Sequence, residues 1–124
     1  MKHPIRPGTA HALTLTVTQD MAAPHLGPAG AVLSTPSMIG LMEQCCREAM
    51  LPALSAGETA LGAAVCITHD AACRVGDAIT VRAALAGVSD ARHTWDVTVE
   101  AADGRRVGAG TLNVEVVGPP ARPE

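Results

Sequence analysis

The chain predicts an α+β domain, an antiparallel sheet packed on one long helix. Three observations carry that expectation. Residues 35–50 hold a stretch of helical periodicity, followed by segments that alternate every two residues. Those segments are joined by short turns, which favours antiparallel pairing over parallel crossovers. The 124 residues are 48% hydrophobic, enough for one core but not two.

In residues 12–18, Leu13, Leu15 and Val17 alternate with Thr14, Thr16 and Thr18, a half-buried strand. Residues 22–30 are rich in Ala, Pro and Gly and read as a loop. The helix follows, with Thr35 placed as N-cap and Pro36 as the first helical residue. Pro52 limits its length. Met38, Ile39, Leu41, Met42, Cys45, Cys46, Ala49 and Met50 recur at helical spacing as a wide buried face, while Gln44, Arg47 and Glu48 make the solvated side. Residues 54–59 form a polar connection containing Gly57.

Residues 62–69, GAAVCITH, are a mostly apolar run that reads as a strand covered on both faces. Val75-Gly76-Asp77 supplies a turn. Ile79, Val81, Ala83 and Leu85 then alternate with Thr80 and Arg82, and Trp95, Val97 and Val99 with Asp96, Thr98 and Glu100. Asp103-Gly104 marks a hairpin into a last strand over about residues 105–117. Residues 1–124 make a single domain, with about 1–10 and 118–124 as flexible tails. Strand, helix and four further strands suit the hot-dog arrangement, a sheet wrapped around one central helix. Such domains pair through their sheets, which covers an open edge.

Composition narrows function. There is one Trp and neither Tyr nor Phe, so the core is built from Ala, Val, Leu, Ile and Met. The net charge is −3 and the nine basic residues are scattered, which argues against a nucleic-acid partner. The Met1-Lys2-His3-Pro4 start lacks the apolar stretch of a signal peptide, and no apolar run is long enough to span a bilayer. A cytoplasmic protein without a membrane partner is expected, its four cysteines reduced. Those cysteines form no CxxC pair, and no ligand-knuckle spacing points to zinc.

Glu43 is the most informative residue. It shares a helix side with Ile39, Cys46 and Met50. A carboxylate there without an adjacent cation is either a functional group or the edge of the apolar stripe, reaching water. His69 ends the apolar run in phase with Val65 and Ile67, a place that suits a catalytic base and equally an ordinary half-exposed histidine.

The sequence around these residues resembles the hot-dog thioesterases typified by fluoroacetyl-CoA thioesterase. The resemblance is carried by Thr35-Pro36-Ser37-Met38-Ile39-Gly40-Leu41-Met42-Glu43 and by Leu61-Gly62-Ala63-Ala64-Val65-Cys66-Ile67-Thr68-His69, at the family's spacing, with Trp95 where the family has a strand Trp. It implies an acyl-CoA thioesterase without cofactor or metal, working as a homodimer or dimer of dimers on an acyl-CoA or acyl-carrier thioester. Thr35, Glu43 and His69 would form the catalytic group, and Gly62 would bind substrate or its oxyanion. Glu43 would attack the thioester carbonyl or position water as a base, and His69 would shuttle protons. Thr35 would orient Glu43 or donate to the carbonyl.

Two departures qualify the resemblance. The family's acyl-selecting lid carries Phe residues in a longer loop, whereas this chain has no Phe and a short His25-Leu26-Gly27-Pro28-Ala29-Gly30. A small or medium acyl group other than fluoroacetyl is therefore expected. The family's Arg on the last strand has no match in Thr111-Leu112-Asn113-Val114, which leaves Asn113 as a partial substitute. Arg74, Arg105 and Arg106 are the turn-located candidates for coenzyme A phosphates, with a solvated-surface role as their default. The alternative is a non-catalytic hot-dog module that binds an acyl thioester or acyl carrier. A hydratase on the same fold is supported only by Asp70 beside His69, and neighbours on a strand point to opposite faces.

Overall fold

The computed structural model describes residues 1–118. Past Gly118, the Pro-rich tail lies outside the described residues. Five strands and one long helix follow in chain order: β1 (Ala10–Thr16), α1 (Thr35–Met50), β2 (Thr59–His69), β3 (Ala78–Ser89), β4 (Arg92–Ala101) and β5 (Arg106–Val117). The sheet order is β1-β3-β4-β5-β2, every pairing antiparallel, so β1 and β2 are its edges. The helix packs against all five strands. This is the α+β arrangement expected, a sheet around one central helix.

The core lies between α1 and the inner face of the sheet. Met38, Met42, Cys45, Cys46 and Met50 on the helix are fully buried against Ile79, Val81, Leu85, Trp95, Val97, Val99, Leu112 and Val114. Removing each large aliphatic side chain from water contributes about 1.5–3 kcal/mol. Strict alternation on β3 and β4 sends the apolar set inward and Arg82 and Asp96 outward.

The helix has the expected bounds but a different cap. Ser34 is the N-cap, its hydroxyl accepting the Ser37 N–H at 3.2 Å, so Thr35 is the first helical residue. With Ser34 satisfying that orphan donor, the Thr35 hydroxyl is released for another partner. The chain then continues into a short 3-10 turn, Leu51–Ala53.

The loop over residues 22–30 carries a 3-10 turn, Pro24–Gly30, broken at Gly27 with φ +65°. Its neck is closed by Ala23 N–H donating to Gly30 O at 2.8 Å. Asp103-Gly104 forms the expected hairpin, and a second turns at Asp90-Ala91, where Asp90 has φ +54°. Residues 1–9 lie against the domain where a loose tail was expected: Lys2 N–H donates to Ala53 O at 2.7 Å and Ile5 is buried.

The largest difference concerns β2. Its apolar run was expected to be covered on both faces, yet it is one of the two edges of the sheet. Leu61 is 48% and Val65 46% exposed, and residues 61–66 are all exposed. An apolar strand needs cover, and in a single chain α1 covers only Ala60 fully.

Candidate active site along the helix and the β2 edge

Two polar pairs line the seam between α1 and β2. At the helix start, Thr35 Oγ1 lies 2.7 Å from His69 Nδ1. Two turns further, Glu43 Oε1 accepts the Gly62 backbone N–H at 3.2 Å. The helix rises 1.5 Å per residue, so the eight residues from Thr35 to Glu43 set those two backbone positions about 12 Å apart along the helix axis. Within one chain, Thr35 meets His69 and Glu43 meets Gly62, but the three expected catalytic side chains do not converge.

A β-bulge makes this layout possible. Gly62 and His69 are seven apart, an odd spacing that in a regular strand places them on opposite faces. Between Gly62 and Ala64 the register against β5 slips by one residue. Gly62 is paired with buried Val114 and, past the bulge, Val65 with buried Leu112. Val65, Ile67 and His69 thus return to the helix side that Gly62 faces. Sequence reading missed this inserted residue.

Glycine is required at position 62 for a steric reason. A Cβ there would stand 2.8 Å from Glu43 Oε2 and 3.0 Å from its Cδ. The carboxylate is half-buried and rests directly on the strand backbone. Among the described residues, the ion pairs join the Met1 amine to Glu58, His11 to Glu48, Arg92 to Glu115 and Arg105 to Asp103, and none involves Glu43.

His69 carries a second unusual feature. Its Nε2 is closed to solvent and has no hydrogen-bond partner. When the Thr35 hydroxyl donates to Nδ1, the ring hydrogen sits on Nε2, a donor without an acceptor. Buried polar groups are nearly always paired, so such an atom calls for an explanation, and a catalytic role is one of the few.

The cysteines are poor nucleophile candidates on this face. Burial, helped by Glu48, pushes the Cys45 thiol up to about 11. Burial, with smaller contributions from Cys45 and Glu43, pushes Cys46 up to about 12. Both stay protonated near neutrality, where only a thiolate attacks.

The remaining candidates are placed less favourably. Asn113 lies between inward-facing Leu112 and Val114 and therefore points to the outer face, where Thr94 Oγ1 donates to its Oδ1 at 2.6 Å. Arg105 is held by Asp103 at 2.8 Å, which raises its pKa, and its Nη1 donates to Ala72 O. Arg106 is exposed at the start of β5. Arg74 lines a groove of about 300 Å³ with Pro28, Ala29, Ala31, Val32 and Val75, beside the segment that leads into α1. Among the described residues, no group of three His, Cys, Asp or Glu side chains is arranged to hold a metal ion, and no helix is long and apolar enough to cross a membrane.

Residues 17–118 match the family described as FlK, fluoroacetyl-CoA-specific thioesterase. The fluoroacetyl-CoA thioesterase of Streptantibioticus cattleyicolor is 42% identical over 87 residues, 69% of this chain and 61% of that protein. The match thus spans a little under two thirds of that relative's length. A solved structure of FlK superposes with a TM-score of 0.85 at 34% identity, covering 94% of this chain and 90% of that one. A phenylalanine-to-alanine variant of FlK, solved with fluoroacetate and CoA, gives a TM-score of 0.84 at 36% identity, over 92% of this chain and 96% of that one.

Proposed function

The chain belongs to the fluoroacetyl-CoA-specific thioesterase family, and from that premise we propose that it hydrolyses a small or medium acyl-CoA thioester as a homodimer with shared active sites. The observation that carries the reading is the unpartnered, buried Nε2 of His69 on a ring held by Thr35. Hydrolysis of a thioester adds water across the acyl C–S bond, giving a carboxylic acid and a free thiol. Glu43 either attacks the carbonyl carbon, expelling the thiolate and giving a mixed anhydride that water then hydrolyses, or takes a proton from the water that attacks that carbon. His69 delivers the proton to the departing thiolate from Nε2. Gly62 N–H, which Glu43 occupies in the resting chain, is the nearest backbone donor for the developing oxyanion.

A second copy brings the two kinds of pair together. The apolar edge of β2 is open, and antiparallel pairing with its own counterpart extends the sheet. Residues opposite one another in such a pair point to the same face. A two-fold axis through Cys66 sets Val65 opposite Ile67 and the Gly62 bulge opposite His69. Glu43 and Gly62 of one protomer then face Thr35 and His69 of the other, with two sites per dimer. The exposed Cys66 provides a direct check, because the axis brings both copies together on the outer face. Mild oxidation is expected to yield a covalent dimer that Cys66→Ala abolishes.

The carrier is read as coenzyme A and the compartment as cytoplasmic, which the four free cysteines suit. The absence of Phe from the segment before α1 supports a substrate other than fluoroacetyl-CoA. The decisive experiment measures thiol release from acyl-CoAs, acetyl to decanoyl and including phenylacetyl. Glu43→Ala and His69→Ala are expected to lose roughly 10²–10⁴-fold in turnover while staying folded. Folded protein that turns over no member of the panel would overturn the hydrolase in favour of a module that binds acyl carriers.

A further inference from the structure

On the inner face of β5, two positions opposite the end of β2 carry no side chain. Gly110 is paired with Ile67 and Gly108 with His69, and on the other side they meet the buried Val97 and Val99 of β4. Glycine inside a strand weakens it and often marks a close approach to its backbone. At Gly110 the reason is local: its φ is +154°, and a Cβ would strike the Cys66 carbonyl oxygen. Gly108 has a backbone that any residue adopts, and its side-chain space is taken by Met38 instead. A Cβ there would stand 2.6 Å from Met38 Sδ and 2.8 Å from its Cε. The thioether thus lies on bare strand backbone at the position opposite His69.

Met38 belongs to the turn that holds Thr35. Its N–H donates to Ser34 O at 3.0 Å, and it follows Thr35 by three residues, on the same side of the helix. Helical side chains lean toward the N-terminus, so the Met38 thioether reaches back beneath that turn. The residue is fully buried, with no exposed direction in which to yield. We infer that Met38, seated on Gly108, is a positioning residue: it sets the height of the first turn of α1 over the end of β2, and so holds Thr35 on His69. The Thr35 Oγ1 to His69 Nδ1 distance is 2.7 Å, and a shift of about 1 Å would carry it out of hydrogen-bond range. An unbranched thioether suits the place, because it fits an irregular gap that a branched side chain would not. The effect on turnover rests on the thioesterase reading, whereas the geometry belongs to a single protomer.

The test makes Gly108→Ala and Met38→Val singly and together, since the first adds a methyl where the second removes the Sδ and Cε it would strike. Two readouts are followed: kcat and KM for thiol release, and the tautomer of the His69 ring from its nitrogen NMR shifts, assigned with His69→Gln. The native ring is expected to be a single tautomer with its hydrogen on Nε2. Each single variant should mix the tautomers and lower kcat by roughly tenfold to hundredfold, with KM little changed. The double variant should restore one tautomer and recover about tenfold over Gly108→Ala, the non-additivity of two residues in contact. A native ring that is already mixed, or one tautomer in every folded variant, overturns the inference. So does a double variant no better than Gly108→Ala, since the methyl would then act on the Thr68 carbonyl oxygen, 3.0 Å away, rather than through Met38. Should Gly108→Ala not fold, Met38→Val alone decides, an unchanged tautomer overturning the inference. Tautomers that respond as expected in a chain releasing no thiol would instead sink the hydrolase reading and leave the role of Met38 standing.

Discussion

Strands β3 and β2 are both rich in apolar residues, yet they stand at opposite extremes of burial. On β3, Ile79, Val81, Ala83 and Leu85 alternate with polar neighbours and are all buried. On β2, the apolar run from Leu61 through Ile67 contains no charge, and most of it is exposed. Alternation records a strand with one face on the core and one in water. An unbroken apolar run records a strand whose every surface meets protein, including protein that a single chain does not supply. The difference separates what the chain needs to fold from what it needs to work.

Truncation should break the two regions differently. Trp95 is fully buried at the centre of β4, and Trp95→Ala is expected to cost about 3–5 kcal/mol of folding stability. Val65→Ala is expected to change the stability of the fold by less than about 0.5 kcal/mol, as at other exposed positions. Urea titration of both variants at low and high protein concentration checks this. A Val65→Ala cost as large as that of Trp95→Ala at the lower concentration would mean that β2 is buried within the protomer.

Gly62→Ala sharpens the comparison within β2 itself. The new methyl would sit 2.8 Å from Glu43 Oε2, so the carboxylate must move, while the exposed strand around it loses nothing. A displacement of about 1 Å at a reacting group costs roughly hundredfold in turnover. The expected result is a hundredfold lower kcat with an unchanged melting temperature. An Ala variant of full activity would show that Glu43 need not rest on the strand backbone.

How legible these regions were follows from the same physics. The helix bounds and the inward set on β3 and β4 could be read because period 3.6 and period 2 encode burial directly. The exposure of β2 could not, because an apolar run looks alike whether its cover is intramolecular or comes from another copy. The bulge leaves no compositional mark in Gly62-Ala63-Ala64, though the odd spacing of Gly62 from His69 was a usable signal. Thr35 and Glu43 stood out by sequence, but their separation along α1, and the outward direction of Asn113, emerged only from geometry. Ile5 is buried although it is a single apolar residue without a pattern around it, so the sequence carries no mark of the packed N-terminal segment.

The smallest effect concerns two adjacent hydroxyls. Both Ser34 and Thr35 can cap a helix, and sequence alone favoured Thr35 because Pro36 follows it. In the structure Ser34 takes the cap and Thr35 turns to His69. Ser34→Ala should therefore cost about 1 kcal/mol of stability, the usual loss of a cap. It should leave turnover near native, since the Thr35–His69 hydrogen bond survives. Thr35→Ala should do the reverse, changing thermal stability little and lowering kcat, because His69 loses the group that holds its ring and tautomer. Melting curves and turnover of both variants decide the matter. Equal loss of stability in the two would mean that the hydroxyls share the cap and that Thr35 is not dedicated to His69.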